Sequence, residues 1–132
     1  MVDFLRTALG AVALIFGGGA AQAADPLSAH EGRMIVDIRT PGEWRQTGVV
    51  DGAVLLTFFD ERGRYDAAAF VASLDSALAG RDSREVTLIC RTGSRTGQVK
   101  GYLQGLGYDV DHVEGGIMRA LRAGVRTAPP AL

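Results

Sequence analysis

The sequence predicts an α/β domain: a mainly parallel central sheet with helices on both faces. Three observations predict it. Short apolar, β-branched runs recur at 34–38, 53–56, 86–89 and 108–113. Between them lie helical patterns, the clearest being Phe70, Val71, Leu74, Ala77 and Leu78 at spacings of three and four. Glycine or proline stands at most of the junctions. Regular alternation of strand and helix is the mark of a parallel sheet covered on both sides.

The 132 residues leave room for one domain, and a hydrophobic fraction of 47% suffices for a core. The formal charge of −1 gives no electrostatic case for nucleic acid or a membrane surface as partner. The single cysteine excludes an internal disulfide and a cysteine metal cluster.

Residues 1–23 read as an export signal. The apolar run from Ala8 to Phe16 is too short to span a bilayer, which takes ~20 residues. Ala21-Gln22-Ala23 has the small-x-small form of a cleavage site, so the mature domain is expected to span 24–132, in the periplasm or secreted. A lone thiol in an oxidising compartment has no internal partner. A reducing thiol protein, or storage as a persulfide, is the expected safeguard.

Asp25 to Arg33 is a polar lead-in, with His30 expected at the surface. Residues 34–38 form the first strand. Asp37 interrupts it and needs backbone amides or a charged partner, because a bare carboxylate there is costly. Arg39 is its nearest partner, and the two are expected to brace the neighbouring loops. Pro41 opens a short helix, Trp44 is expected in the core, and Glu43 either caps that helix or braces the adjoining loop. A glycine-bearing loop follows at 48–53, then a second strand at 53–56. Phe58 and Phe59 are expected against the next helix, the alternative being the mouth of a substrate site. Asp66 caps that helix, which runs to Ala79 and ends at Gly80.

The run Val86 to Ile89 suits an interior strand and stops at Cys90. Gly93 permits the turn, and Ser94 or Thr96 is expected to cap the following helix. Val99, Tyr102, Leu103 and Leu106 form that helix's inner face. The last strand, 108–113, alternates as an edge would. Its His112 is expected to be a surface or hydrogen-bonded residue, with a proton relay as the alternative. Gly115-Gly116 allow tight packing into a final helix at 117–123, and Pro129-Pro130 end an extended tail.

Cys90 therefore stands at the carboxyl end of a strand, facing a helix amino terminus, which is where open α/β sheets bind ligands. Loop N–H groups, the helix dipole and the charges of Arg91 and Arg95 all favour a negative sulfur over a neutral one. They also favour an anionic substrate approaching it.

Cys90-Arg91-Thr92-Gly93-Ser94-Arg95 resembles the active-site loop of the rhodanese (thiosulfate sulfurtransferase) superfamily. Three other segments agree with it in order: Ile35 to Trp44, like the family's "VDVR…EF/EW" stretch; Gly48 to Val54, like "GHIPGA"; and Val113 to Ile117, like the glycine pair after the last strand. The resemblance spans about Met34 to Leu121. Val49 departs from it where the family often has His, and no Trp follows Ile117.

The resemblance implies the same fold and a sulfurtransferase. Cys90 would take sulfur from thiosulfate or a similar small anionic donor, hold it as a persulfide and pass it to cyanide or a thiol. Arg91, Thr92, Gly93, Ser94, Arg95 and Thr96 would bind the donor, with Asp37 and Arg39 in support. No metal or organic cofactor is needed. The alternatives are a persulfide carrier or binding module without turnover of its own, and a cysteine phosphatase or arsenate reductase. Phosphatases carry C-x5-R, whereas Cys90 to Arg95 is C-x4-R, a ring better sized for one sulfur atom.

Overall fold

A computed structural model describes residues 24–132, so the expected signal lies outside the described residues. Four strands form a parallel sheet in the order β3-β1-β4-β5. They are β1 (Met34–Asp37), β3 (Val54–Leu55), β4 (Val86–Ile89) and β5 (Val110–His112). Four helices connect or follow them: α1 (Pro41–Thr47), α2 (Ala67–Leu78), α3 (Ser94–Gly105) and α4 (Gly116–Arg122). The predicted α/β class is the observed one.

The sheet separates two apolar layers. Leu88 and Cys90 face one side, with Phe70, Leu74 and Leu78 of α2 and Val99 and Leu103 of α3. Ile89 and Val113 face the other, with Ile117 of α4. All four β4 residues are buried, as expected of an interior strand. β5 lies at the edge, in keeping with its alternating sequence.

Local chemistry sets the helix ends. Thr40 and Glu43 form a capping box at α1, with Pro41 at the first helical position. Asp66 Oδ1 accepts from the Ala69 amide and starts α2. At α3 neither Ser94 nor Thr96 caps the helix. Gly93 holds the N-cap position in a left-handed conformation, φ 99°, and no side chain satisfies that end. Thr96 is turned inward instead, for reasons given below.

Three further features differ from expectation. The 48–53 loop contains strand β2 (Val49–Val50), which pairs antiparallel with β6 (Thr127–Ala128) in the tail. Thr127 Oγ1 also donates to the Thr47 carbonyl, strapping the tail to the end of α1. His30 is buried, at 8% exposure, rather than at the surface. Thr87 Oγ1 accepts from Arg33 Nε, and its own proton is then free for His30 Nδ1, 3.0 Å away. Burial lowers the His30 pKa below its ordinary value.

Candidate active site

The site is assembled where β1 and β4 end. The Ile38 amide donates to the Ile89 carbonyl at 3.1 Å, which ties the two strand ends together. Cys90 follows directly and is fully buried. Its sulfur accepts from the Gly93 amide at 3.2 Å and lies 3.5 Å from Thr96 Oγ1. The cradle is thus one backbone N–H and one hydroxyl, where the sequence suggested a ring of several amides. The positive φ of Gly93 aims that N–H inward.

The loop is held from behind by α4. Its Ile117 amide donates to the Cys90 carbonyl at 2.8 Å, and its Met118 amide to the Arg91 carbonyl at 3.1 Å. These are helix-start donors that would otherwise lack partners. Contact is close enough that a Cβ on Gly116 would stand 2.4 Å from the Arg91 oxygen and 2.6 Å from that of Cys90. With φ at 59° as well, only glycine fits there, which accounts for the second residue of the pair.

The loop residues divide by exposure. Arg91, Thr92 and Ser94 are exposed and form the outer rim, and Arg91 makes no ion pair among the described residues. Gly93 and Arg95 are half-buried, and Thr96 is fully buried. Arg95 does not reach for the sulfur. Both of its terminal nitrogens donate to Glu43, at 2.7 Å each, in a forked ion pair. Its charge still bears on Cys90 electrostatically, but its hydrogen bonds fasten the loop to α1. Glu43 therefore does both things the sequence offered as alternatives.

The Arg95 fork, aided by the Thr40 amide, lowers the Glu43 pKa to about 2 against the opposing effect of burial. A carboxylate depressed in the folded state stabilises above its unfolded value, about 4.5, and that contribution drains away as pH falls towards 2. We expect a loss on the order of 2 kcal/mol across that window. Unfolding free energy against pH measures it, and Glu43→Gln should flatten this part of the curve. An unchanged acid limb in Glu43→Gln would show that the pair does not stabilise the fold.

Asp37 and Arg39 sit under the site, both fully buried. Arg39 donates from Nε and Nη2 to the Asp37 carboxylate, at 3.0 and 2.8 Å to its two oxygens. Its remaining donors go to Thr47 Oγ1 and the carbonyls of Gly48 and Glu43. The pair joins the end of β1 to both ends of the α1 segment.

Phe58 packs edge-on against Phe70 of α2, with centroids 4.9 Å apart, as expected. Together with Phe59, Tyr65 and Tyr102 it also lines a shallow hollow of about 210 Å³. A larger hollow, about 520 Å³, lies beside the tail and is lined by Trp44, Val50 and Leu132, away from Cys90. The link from Thr96 to the last strand was not expected from the sequence. His112 Nδ1 lies 2.7 Å from Thr96 Oγ1, so three elements meet at the sulfur. A threonine one residue past the loop's last arginine was the available signal.

Residues 20–122 match the model of the family described as "Rhodanese-like domain". No curated protein matches the sequence. Among solved structures, a rhodanese-related protein from Thermoplasma volcanium is similar with a TM-score of 0.58 and 21% identity, covering 81% of this chain and 94% of that one. A Rhodopseudomonas palustris protein, described as of unknown function and a possible tyrosine phosphatase, gives 0.55 at 24% identity over 76% and 74%. A Staphylococcus aureus rhodanese-like domain protein gives 0.53 at 24% over 74% and 83%. At these identities the likeness speaks for the fold.

Proposed function

The chain belongs to the rhodanese-like domain family, and from that premise we propose that it transfers sulfane sulfur through a Cys90 persulfide. The observation that carries the reading is the sulfur itself. It sits at the end of the central strand with a backbone N–H 3.2 Å away and a hydroxyl at 3.5 Å. Both are suited to holding negative charge on sulfur as an oxyanion hole holds it on oxygen.

In the first step the Cys90 thiolate attacks the outer sulfur of thiosulfate. The S–S bond of the donor breaks, sulfite leaves with the electron pair, and Cys90 carries a persulfide anion. In the second, cyanide or a thiolate attacks the outer persulfide sulfur, forming thiocyanate or a new persulfide and returning the Cys90 thiolate. Each step conserves charge and needs no external oxidant. Arg91, exposed at the rim and unpaired among the described residues, would draw the anionic donor in. Thr92 and Ser94 would meet it there, while Gly93, Arg95 and Thr96 shape the inner wall.

Against a phosphatase stand the shorter C-x4-R spacing and the Arg95 fork, whose terminal nitrogens are both occupied by Glu43. A phosphoryl group would find the fork of Arg95 already taken.

We further infer export, with residues 1–23 as leader and a reducing thiol protein serving Cys90. One experiment addresses both inferences. Mass spectrometry of the protein purified from its host and treated with thiosulfate should show one added sulfur on Cys90 and a start at Ala24. Cyanide should then remove that sulfur as thiocyanate. Turnover of a phenyl phosphate with no sulfur uptake would overturn the transferase reading. Persulfide loading without release to small acceptors would mark a carrier instead.

A further inference from the structure

We propose that His112 takes the Cys90 proton through the hydroxyl of Thr96. The proposal rests on the persulfide reading, and concerns how the nucleophile is made. Thr96 Oγ1 is fully buried and has three polar neighbours: His112 Nδ1 at 2.7 Å, the Gly93 carbonyl at 3.2 Å and Cys90 Sγ at 3.5 Å. With one proton to give, it serves one acceptor well. The contact with His112 is the shortest. The Gly93 carbonyl already accepts the Gly97 amide at the start of α3.

The direction of these bonds is set by the His112 proton. When Nδ1 is bare, Thr96 donates to it and the Cys90 S–H donates to Thr96. The S–H bond then breaks as its proton passes to Thr96 Oγ1, while the O–H proton of Thr96 passes to Nδ1. Cys90 is left as thiolate, Thr96 is unchanged, and His112 becomes an imidazolium; net charge is conserved. The hydrogen bonds now run the other way. Nδ1–H donates to Thr96, and Thr96 donates to the negative sulfur beside the Gly93 N–H. The same three atoms would hold the persulfide anion after the first transfer step.

The fold places these groups by independent means. Leu88 and His112 are register partners on β4 and β5, so His112 projects from the same face as Leu88 and Cys90. Thr96 comes from the first turn of α3, which packs on that face. The charged and titratable groups tied to His112 are Asp111 on its own strand and His30 from the lead-in. Lys100 pairs with Asp111 at 3.2 Å and Arg95 with Glu43, while His30 is held by Thr87. The Asp111 carboxylate is further committed to the His112 backbone N–H at 2.7 Å. Thr96 Oγ1 is the imidazole ring's one side-chain hydrogen-bond partner among the described residues.

The test is the rate at which iodoacetamide alkylates Cys90, measured against pH in the full-length protein. His112→Gln should slow alkylation about tenfold near neutrality, a modest share of what positioned proton transfer contributes. The two profiles should converge in alkali, where solvent hydroxide removes the proton unaided. Thr96→Val should behave like His112→Gln, and the double variant should lose no more than either single one. Thr96→Ser keeps the hydroxyl and should retain the parent profile. A purely structural role would lower the rate by one factor at every pH, and that result, or an unchanged profile, overturns the relay. Alkylation consumes no sulfur donor, so the two proposals fail separately. A displaced profile in a protein that takes no sulfur would sink the transferase reading alone.

Discussion

Cys90→Ser is expected to abolish sulfur transfer while leaving the fold in place. A serine hydroxyl is far harder to ionise than a thiol, is a weaker nucleophile towards sulfur, and cannot form a persulfide. Loss of a covalent nucleophile leaves only the residual effects of binding, so the rate should fall by at least about 10³, into the assay background. Serine is close to cysteine in size, and it keeps an acceptor for the Gly93 N–H. Stability should therefore change by less than about 1.5 kcal/mol. The thiosulfate–cyanide assay and thermal unfolding read the two quantities separately. Turnover retained by a folded Cys90→Ser protein refutes the covalent mechanism.

Arg39→Met is expected to be the most destabilising of the substitutions considered. It removes the ion-pair partner of Asp37, which is fully buried, and strips the hydrogen bonds to Thr47 Oγ1 and the Gly48 carbonyl. Breaking a buried pair from one side costs about 3–5 kcal/mol, because the remaining charge is stranded. Against a total of about 5–15 kcal/mol, that is a large fraction. Denaturant unfolding should show a lower midpoint. Asp37→Asn combined with Arg39→Met should recover part of the loss, since the stranded charge is gone. If the double variant is no more stable than Arg39→Met alone, the cost lies in lost packing and not in the charge.

The parts of the fold that were legible in the sequence are those with local causes. The apolar run ending at Cys90, Pro41 at a helix start and Asp66 as a cap all act within a few residues. So does Asp37 beside Arg39. What escaped the sequence involves partners far apart in the chain. His30 is buried because Thr87, 57 residues on, provides a hydroxyl for it. Arg95 is engaged by Glu43 across 52 residues, so its fork serves the loop's anchorage and not the sulfur. The pairing of Val49–Val50 with Thr127–Ala128 involves strands of two residues, too short to show any periodicity. The missing cap on α3 has a different cause. The chain spends Thr96 on the sulfur, and a glycine in a left-handed turn does the work of starting the helix.

Glu43 carries a consequence for how the domain opens. One carboxylate both starts α1 and fastens the 90–95 loop, whereas β4 is held by pairing on both of its sides. Amide hydrogen exchange in mild acid should therefore find α1 and this loop losing protection together, as one cooperative unit, while β4 still exchanges only through global unfolding.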